Sequence, residues 1–260
     1  MSERFCRVER DGALTVITID RPEVMNALHP PAQEELSAAL DAFAEDPDQW
    51  VAILTGAGTR AFSAGNDLKY QAAGGRRWRL DKGFGGMTAR FDLDKPLIAA
   101  VNGVAMGGGL EIALACDLIV ADATARFALP EPKVGLAALA GGLQRLGRQI
   151  GSKRAMGMIL TGRHVGAEEA HALGFVNEVV PAGQALAGAK RWTAEILACS
   201  PLSVRASKQA LMRGLDEPTL AEAIRKERDY PAARAMLASE DYVEGPKAFA
   251  EKRAARWVGR

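Results

Sequence analysis

The chain has 260 residues, enough for one large folded unit with a substantial core, and its 48% hydrophobic and 25% charged content is ordinary for a globular protein. A formal net charge of +1 offers no basic stripe for nucleic acid, and no apolar run reaches the length of a membrane span. Cys6, Cys116 and Cys199 form neither a CxxC pair nor metal-ligand spacing, and the charged first ten residues lack an apolar signal segment, so reduced thiols and a cytoplasmic location are expected.

Asp11-Gly12 reads as a hairpin turn between strands at 5–9 and 13–19, and Arg21-Pro22 ends the second strand. Met25-Asn26-Ala27-Leu28 and His29-Pro30-Pro31 then lead into a helix over 32–44, with Leu36, Leu40 and Phe43 on one face and Pro47 closing it. A strand follows at 50–55, and Gly56-Ala57-Gly58 turns away from it. That turn lacks the third glycine and the helix of a dinucleotide site. Strand, helix, strand predicts right-handed crossovers. The segment Ala61-Phe62-Ser63-Ala64-Gly65-Asn66-Asp67-Leu68 ends in a short helix. Residues 70–94 have no readable period and predict a mobile loop with at most one short helix, placed as a binding wall.

The apolar run at 96–101 reads as a buried strand, and 112–116 as a buried helix. Between them lie Gly107, Gly108, Gly109, Leu110 and Glu111. Three glycines at a strand-to-helix passage bring bare N–H groups close to a ligand, and a helix N-terminus leaves its first N–H groups unpaired with a partial positive charge. Such a place can stabilise a carbonyl oxygen becoming an anion, and Glu111 falls in the first turn beside it. Three glycines also mark close backbone crossings, and Glu is common at helix starts, so the weight must come from other parts of the chain.

Strands are expected at 117–121 and 126–129, the latter running into Pro130-Glu131-Pro132, whose prolines restrict the backbone on both sides of the Glu131 carboxylate. Helices at 142–150, 152–160 and 167–173 precede a strand at 175–180. Four more helices, 184–198, 202–213, 219–237 and 239–253, complete the chain. An α/β body carrying the site (residues 1–200) and a helical end (201–260), divided near Ser200-Pro201, are therefore predicted. No repeat of fixed length and no low-complexity tract is visible. His29, His164 and His171 are isolated, which argues against a triad hydrolase or a metal enzyme.

Five motifs occur in order: Phe62-Ser63-Ala64-Gly65-Asn66-Asp67-Leu68, Lys95-Pro96-Leu97-Ile98-Ala99-Ala100-Val101-Asn102-Gly103, Gly107-Gly108-Gly109-Leu110-Glu111, Phe127-Ala128-Leu129-Pro130-Glu131 and Leu160-Thr161-Gly162-Arg163. Together they resemble the crotonase (enoyl-CoA hydratase/isomerase) superfamily nearly end to end, and the closing Glu244-Gly245-Pro246-Lys247-Ala248-Phe249-Ala250-Glu251-Lys252-Arg253 is similar to its carnitinyl-CoA dehydratase branch. The resemblance implies a spiral of repeated ββα units with a helical C-terminal subdomain that makes trimers or dimers of trimers. It implies no metal and no cofactor, coenzyme A being part of the acyl-CoA substrate. By motif position the backbone N–H groups of Asn66 and Gly108 would form the oxyanion hole, with Ala64, Gly65, Asp67 and Leu68 around the substrate. Glu111 and Glu131 match the two glutamates with which such hydratases add water to a 2-enoyl thioester, or remove it from a carnitinyl one. Arg60 and Lys69 stand where relatives carry cations near the nucleotide, and Phe249 and Lys252 where a neighbouring subunit's tail touches CoA.

The chain departs from the pattern in two places. Leu139 stands where dienoyl-CoA isomerases carry a third acid, which lowers that reading, and Glu23 replaces a basic residue expected ahead of Asn26. A 3,2-enoyl-CoA isomerase or a non-catalytic acyl-CoA-binding relative remains the alternative to a hydratase. Tyr70 and Trp78 are candidate aromatic walls for a substrate cation, against a packing role for either.

Overall fold

The structure, a computed structural model, describes residues 4–75 and 80–260. Strands β1 (Cys6–Asp11) and β2 (Leu14–Ile19) form the expected antiparallel hairpin, with Gly12 at φ 57° in the turn. Helix α1 (Pro30–Glu45) follows, then β3 (Val51–Gly56), β4 (Ala61–Ser63), α2 (Leu68–Ala72), β5 (Leu97–Val101), β6 (Val104–Met106), α3 (Gly108–Ala115), β7 (Leu118–Asp122) and β8 (Arg126–Ala128). Next come α4 (Gly142–Ile150), α5 (Ser152–Ile159), β9 (Val165–Gly166), α6 (Ala167–Leu173), β10 (Glu178–Val180) and α7 (Ala185–Leu197). Helices α8 (Pro201–Gly214), α9 (Leu220–Lys226), α10 (Pro231–Leu237) and α11 (Glu240–Ala250) end the chain.

The strands make two sheets, ordered β1-β2-β3-β5-β7-β10 and β4-β6-β8-β9. Successive strands alternate between them: β3 then β4, β5 then β6, β7 then β8. Each pair is parallel to the one before it, so the chain winds as a spiral. This is the crotonase-like α/β architecture. Both faces of the large sheet are covered. Ile17, Ile19, Ala52, Leu54, Ala99 and Val101 enter a core with Leu36, Leu40 and Phe43 of α1. Val16, Val51, Ile53, Ile98 and Ala100 point the other way, onto Ala185 and Ala189 of α7. Burial on both faces is why these strands read as continuous apolar runs and not as alternating ones.

Three expectations need correction. The strand feeding the triple glycine is β6, three residues long, and not the run at 96–101, which is the β5 of the other sheet. The helix expected over 219–237 is broken into α9, a 3₁₀ turn at Glu227–Asp229, and α10, because Pro231 has no N–H to continue the ladder and sits at a helix start. The strand expected at 175–180 narrows to β10, while Phe175 and Val176 are buried in the loop before it. Within 70–94, the chain forms the end of α2 and a 3₁₀ turn at Phe84–Gly86; Trp78 lies outside the described residues.

Candidate active site

The loop after β4 is held from below by one buried amide. Asn26 is fully buried with φ 55°, its Nδ2 donating to Ala57 O (3.0 Å) and Ala61 O (2.7 Å), while its Oδ1 accepts from Arg21 N (2.9 Å). Its own carbonyl accepts from Ser63 Oγ (2.8 Å), and that same hydroxyl accepts from Gly65 N (3.1 Å). Leu28 N donates to Gly65 O and Asp67 N to Leu28 O, a parallel bridge in which the residues flanking Asn66 make the bonds. The Asn66 N–H is thereby turned to the opposite side and has no protein acceptor among the described residues.

That opposite side meets the start of α3. Gly65, at φ 85°, is so close that a Cβ there would lie 2.7 Å from Gly108 N and 3.2 Å from Gly109 N. A Cβ on Gly109 would lie 2.0 Å from Ser63 O. Gly107 turns the chain at φ 53°, ψ −124°, a region that only glycine enters readily. Gly108, the first helical residue, has no intrahelical acceptor for its N–H, and Phe84 packs its ring edge where a Gly108 side chain would project. Two backbone donors, Asn66 N–H and Gly108 N–H, thus lie on segments in van der Waals contact at a helix N-terminus. Such a pair can take up the developing charge of one carbonyl oxygen.

Glu111 lies one turn into α3 and is 4% exposed. Its Oε1 accepts from Ala140 N (2.8 Å) and Gly142 N (2.9 Å), and a Cβ on Gly142 would press on the Glu111 side chain at 2.8 Å. Burial pushes the Glu111 carboxyl above its ordinary range, opposed by the two backbone N–H bonds and by the Arg145 charge. Glu131 starts a 3₁₀ turn (Glu131–Val134) shortly after β8, the strand neighbouring β6. Its carboxyl lies against Gly107, where a Cβ would be 2.8 Å from Oε1, and its Oε2 is buried without a hydrogen-bond partner. Burial raises the Glu131 carboxyl, its own backbone N–H holds it back, and the Glu111 charge raises it further. Glu111 and Glu131 therefore share one electrostatic environment around Gly107–Gly108, one carboxylate clasped by two amides of another segment and the other held only by its own backbone N–H, with Oε2 unpartnered.

The remaining candidates are spread more widely. Ala64 and Gly65 line the donor loop. Asp67 caps α2 through Tyr70 N (3.0 Å) and pairs with Arg21 at 3.0 Å; burial raises its carboxyl, but those hydrogen bonds and the Arg21 charge bring it below the ordinary range. Leu68, Lys69, Tyr70 and Arg60 are exposed near the same loop, and Tyr70 packs edge-on to His29. Phe249, 88% exposed, and Lys252, at φ 54°, lie on and just beyond α11. Glu23 is exposed. Three contributors had no residue-level signature: the Ala140 and Gly142 amides, and the Phe84 ring. The double glycine Gly141-Gly142 ahead of α4 is the one visible hint of the first two. Among the described residues no group of three or more His, Cys, Asp or Glu is placed to hold a metal ion.

Comparison with known proteins supplies the family. The sequence model of the enoyl-CoA hydratase/isomerase family matches residues 9–260. The chain is 42% identical to a carnitinyl-CoA dehydratase of Salmonella typhi and 43% identical to one of Escherichia coli strain K12, in each case over the whole of both chains. A crystal structure of an enoyl-CoA hydratase from Mycobacterium tuberculosis H37Rv superposes with a TM-score of 0.93 at 39% identity, covering 99% of this chain and 100% of that one. The chain belongs to the enoyl-CoA hydratase/isomerase family.

Proposed function

We propose that this protein is a hydratase-type lyase that adds water reversibly to a 2-enoyl-CoA thioester, with Glu111 and Glu131 as the acid–base pair and the N–H groups of Asn66 and Gly108 as the oxyanion donors. The observation that carries the reading is the unequal tethering of two carboxyls around one helix start. Glu111, accepting two backbone N–H bonds, is the better seat for an ionised base. Glu131, with a buried, unpartnered oxygen beside another carboxylate, is the better seat for a neutral acid. In the hydration direction Glu111 takes a proton from water as its oxygen bonds to the β-carbon. The π electrons shift towards the thioester oxygen, held by the two amides, and Glu131 delivers a proton to the α-carbon. The pair as a whole neither gains nor loses a proton, and dehydration retraces the steps.

Loss of the conjugated-thioester absorbance of crotonyl-CoA tests the reading. Glu111→Gln and Glu131→Gln should each lower kcat by roughly 10²–10⁴-fold. An isomerase that shuttles one proton would tolerate one of the two changes, and a Glu131→Gln protein with full hydration would remove the mechanism. Because relatives carry the name carnitinyl-CoA dehydratase, carnitinyl-CoA belongs in the substrate panel beside short, long and aromatic acyl thioesters.

The helical end, residues 201–260, is proposed as a subdomain that joins copies of the chain into a trimer or a dimer of trimers. Support comes from Leu211, Leu215, Leu220 and Ile224, which are 58–77% exposed on α8, its C-terminal flank and α9.

A further inference from the structure

Arg145 occupies a position that packing alone does not explain. It lies in the first turns of α4, where the positive end of the helix dipole disfavours a cation. Burial lowers its pKa, and no carboxylate lies within ion-pair distance of it among the described residues. Its side chain curls back over the helix start, so that a Cβ on Gly141, at φ 96°, would be 2.3 Å from Nη1. The next residue, Gly142, donates its N–H to Glu111 and would press on the Glu111 side chain if it carried a Cβ. The guanidinium and the Glu111 carboxylate are therefore lodged on two successive glycines. On its other flank the guanidinium lies 5.7 Å from the centroid of the Phe91 ring, itself 79% exposed.

We propose that Arg145 is a positioning residue for catalysis: held between Gly141 and the Phe91 ring, its guanidinium keeps the Glu111 carboxylate charged and seated in the Ala140–Gly142 clasp. A cation kept at a helix start without an ion pair costs stability. Its field acts on Glu111, to which it is the favourable charge, and the Phe91 face offsets part of the desolvation. The other groups acting on this environment are Glu131, which opposes ionisation of Glu111, Cys116 at the end of α3, whose thiol is pushed up to about 12 by burial and stays neutral, and Arg148 one turn along α4, which acts on Arg145. Arg145 is thus the nearby cation that offsets the repulsion between the two carboxylates.

The inference rests on Glu111 being the base. Removing the positive charge raises the pH at which Glu111 ionises, so the acid limb of the kcat/KM profile should move to higher pH in Arg145→Gln. On the order of a tenfold loss is expected on that limb relative to the plateau, the change that one pH unit of displacement produces. KM should change little, Arg145→Lys should restore most of the limb, and Phe91→Leu, a change at an exposed ring, should move it in the same direction by less. Activity that falls equally at every pH in Arg145→Gln, or a limb that stays in place in both Arg145→Gln and Phe91→Leu, would overturn the proposal. Glu111→Gln separates the two readings. If it hydrates crotonyl-CoA at the wild-type rate, the proposed function fails; if its kcat falls as expected and the limbs of the Arg145 and Phe91 variants do not move, only the role of Arg145 fails.

Discussion

Glu131 places a buried carboxyl oxygen without a hydrogen-bond partner beside a second carboxylate, and both features act against the charged form in the folded state. The consequence for stability has a definite sign. A carboxyl whose folded pKa lies above the ordinary value of 4.5 binds its proton more tightly in the native chain than in the unfolded one. Its contribution is complete below that value and is lost as pH rises through the folded pKa. Glu131→Gln keeps the shape and removes the ionisation. Thermal unfolding followed at pH 4 and pH 8 should therefore show the variant gaining on the wild type at pH 8 and not at pH 4, while hydratase activity is lost. A variant that loses more stability at pH 8 than at pH 4 would mean that Glu131 is bonded as an ion and is not held ready as an acid. Glu111 shifts in the same direction, but its two amide bonds favour the charged form and weaken when the acceptor becomes a neutral amide oxygen, so Glu111→Gln should gain less.

At the scale of elements, the site depends on how closely β4 and α3 approach. The Gly109 Cα faces Ser63 O at a distance that leaves no room for a methyl group, and Gly65 and Gly108 meet in the same contact. Gly109→Ala must push the helix start away from the donor loop, because the obstructing atom is backbone and cannot rotate aside. A destabilisation of about 1–3 kcal/mol, typical of an overpacked core, should accompany a fall in kcat on crotonyl-CoA, read by denaturant unfolding and by the absorbance assay. Gly147→Ala, on α4 with open space around it, is the control that should leave stability near the wild type or slightly above it. The contact also explains what could be read from the residues. The Gly107-Gly108-Gly109 run and Glu111 marked the helix start because glycine and a first-turn acid have chemical meaning at such a place. Helices α4 and α6 were legible from apolar spacing and their flanking glycines. Strands β4, β6 and β9 have two or three residues each, too few for a period of two to show, so the second sheet was hidden. The clasp on Glu111 is made by backbone N–H groups, and any residue type but proline at position 140 could supply one.

For the whole molecule, the open question is how the helical end is used. The core of the spiral body holds Leu, Ile, Val and Phe side chains at or near zero exposure, and α8, α9 and α11 leave Leu211, Leu220, Ile224, Val243 and Phe249 at 58–88% exposure. An isolated chain would present this surface to water, and burying an exposed large apolar side chain contributes about 1.5–3 kcal/mol. Association with further copies is the expected outcome, and closed symmetry favours rings over open filaments. Sedimentation velocity across a range of concentrations should show a species of three or six chains, and Leu220→Asp with Ile224→Asp should shift it towards the 27.6 kDa monomer. If the tail near Phe249 and Lys252 completes a neighbour's CoA site, that double variant should raise KM for crotonyl-CoA more than it lowers kcat, because Glu111, Glu131 and the two amides all lie within one chain. A monomer with unchanged KM would confine the helical end to a packing role; a wild-type chain that sediments as a monomer at every concentration would remove the assembly altogether.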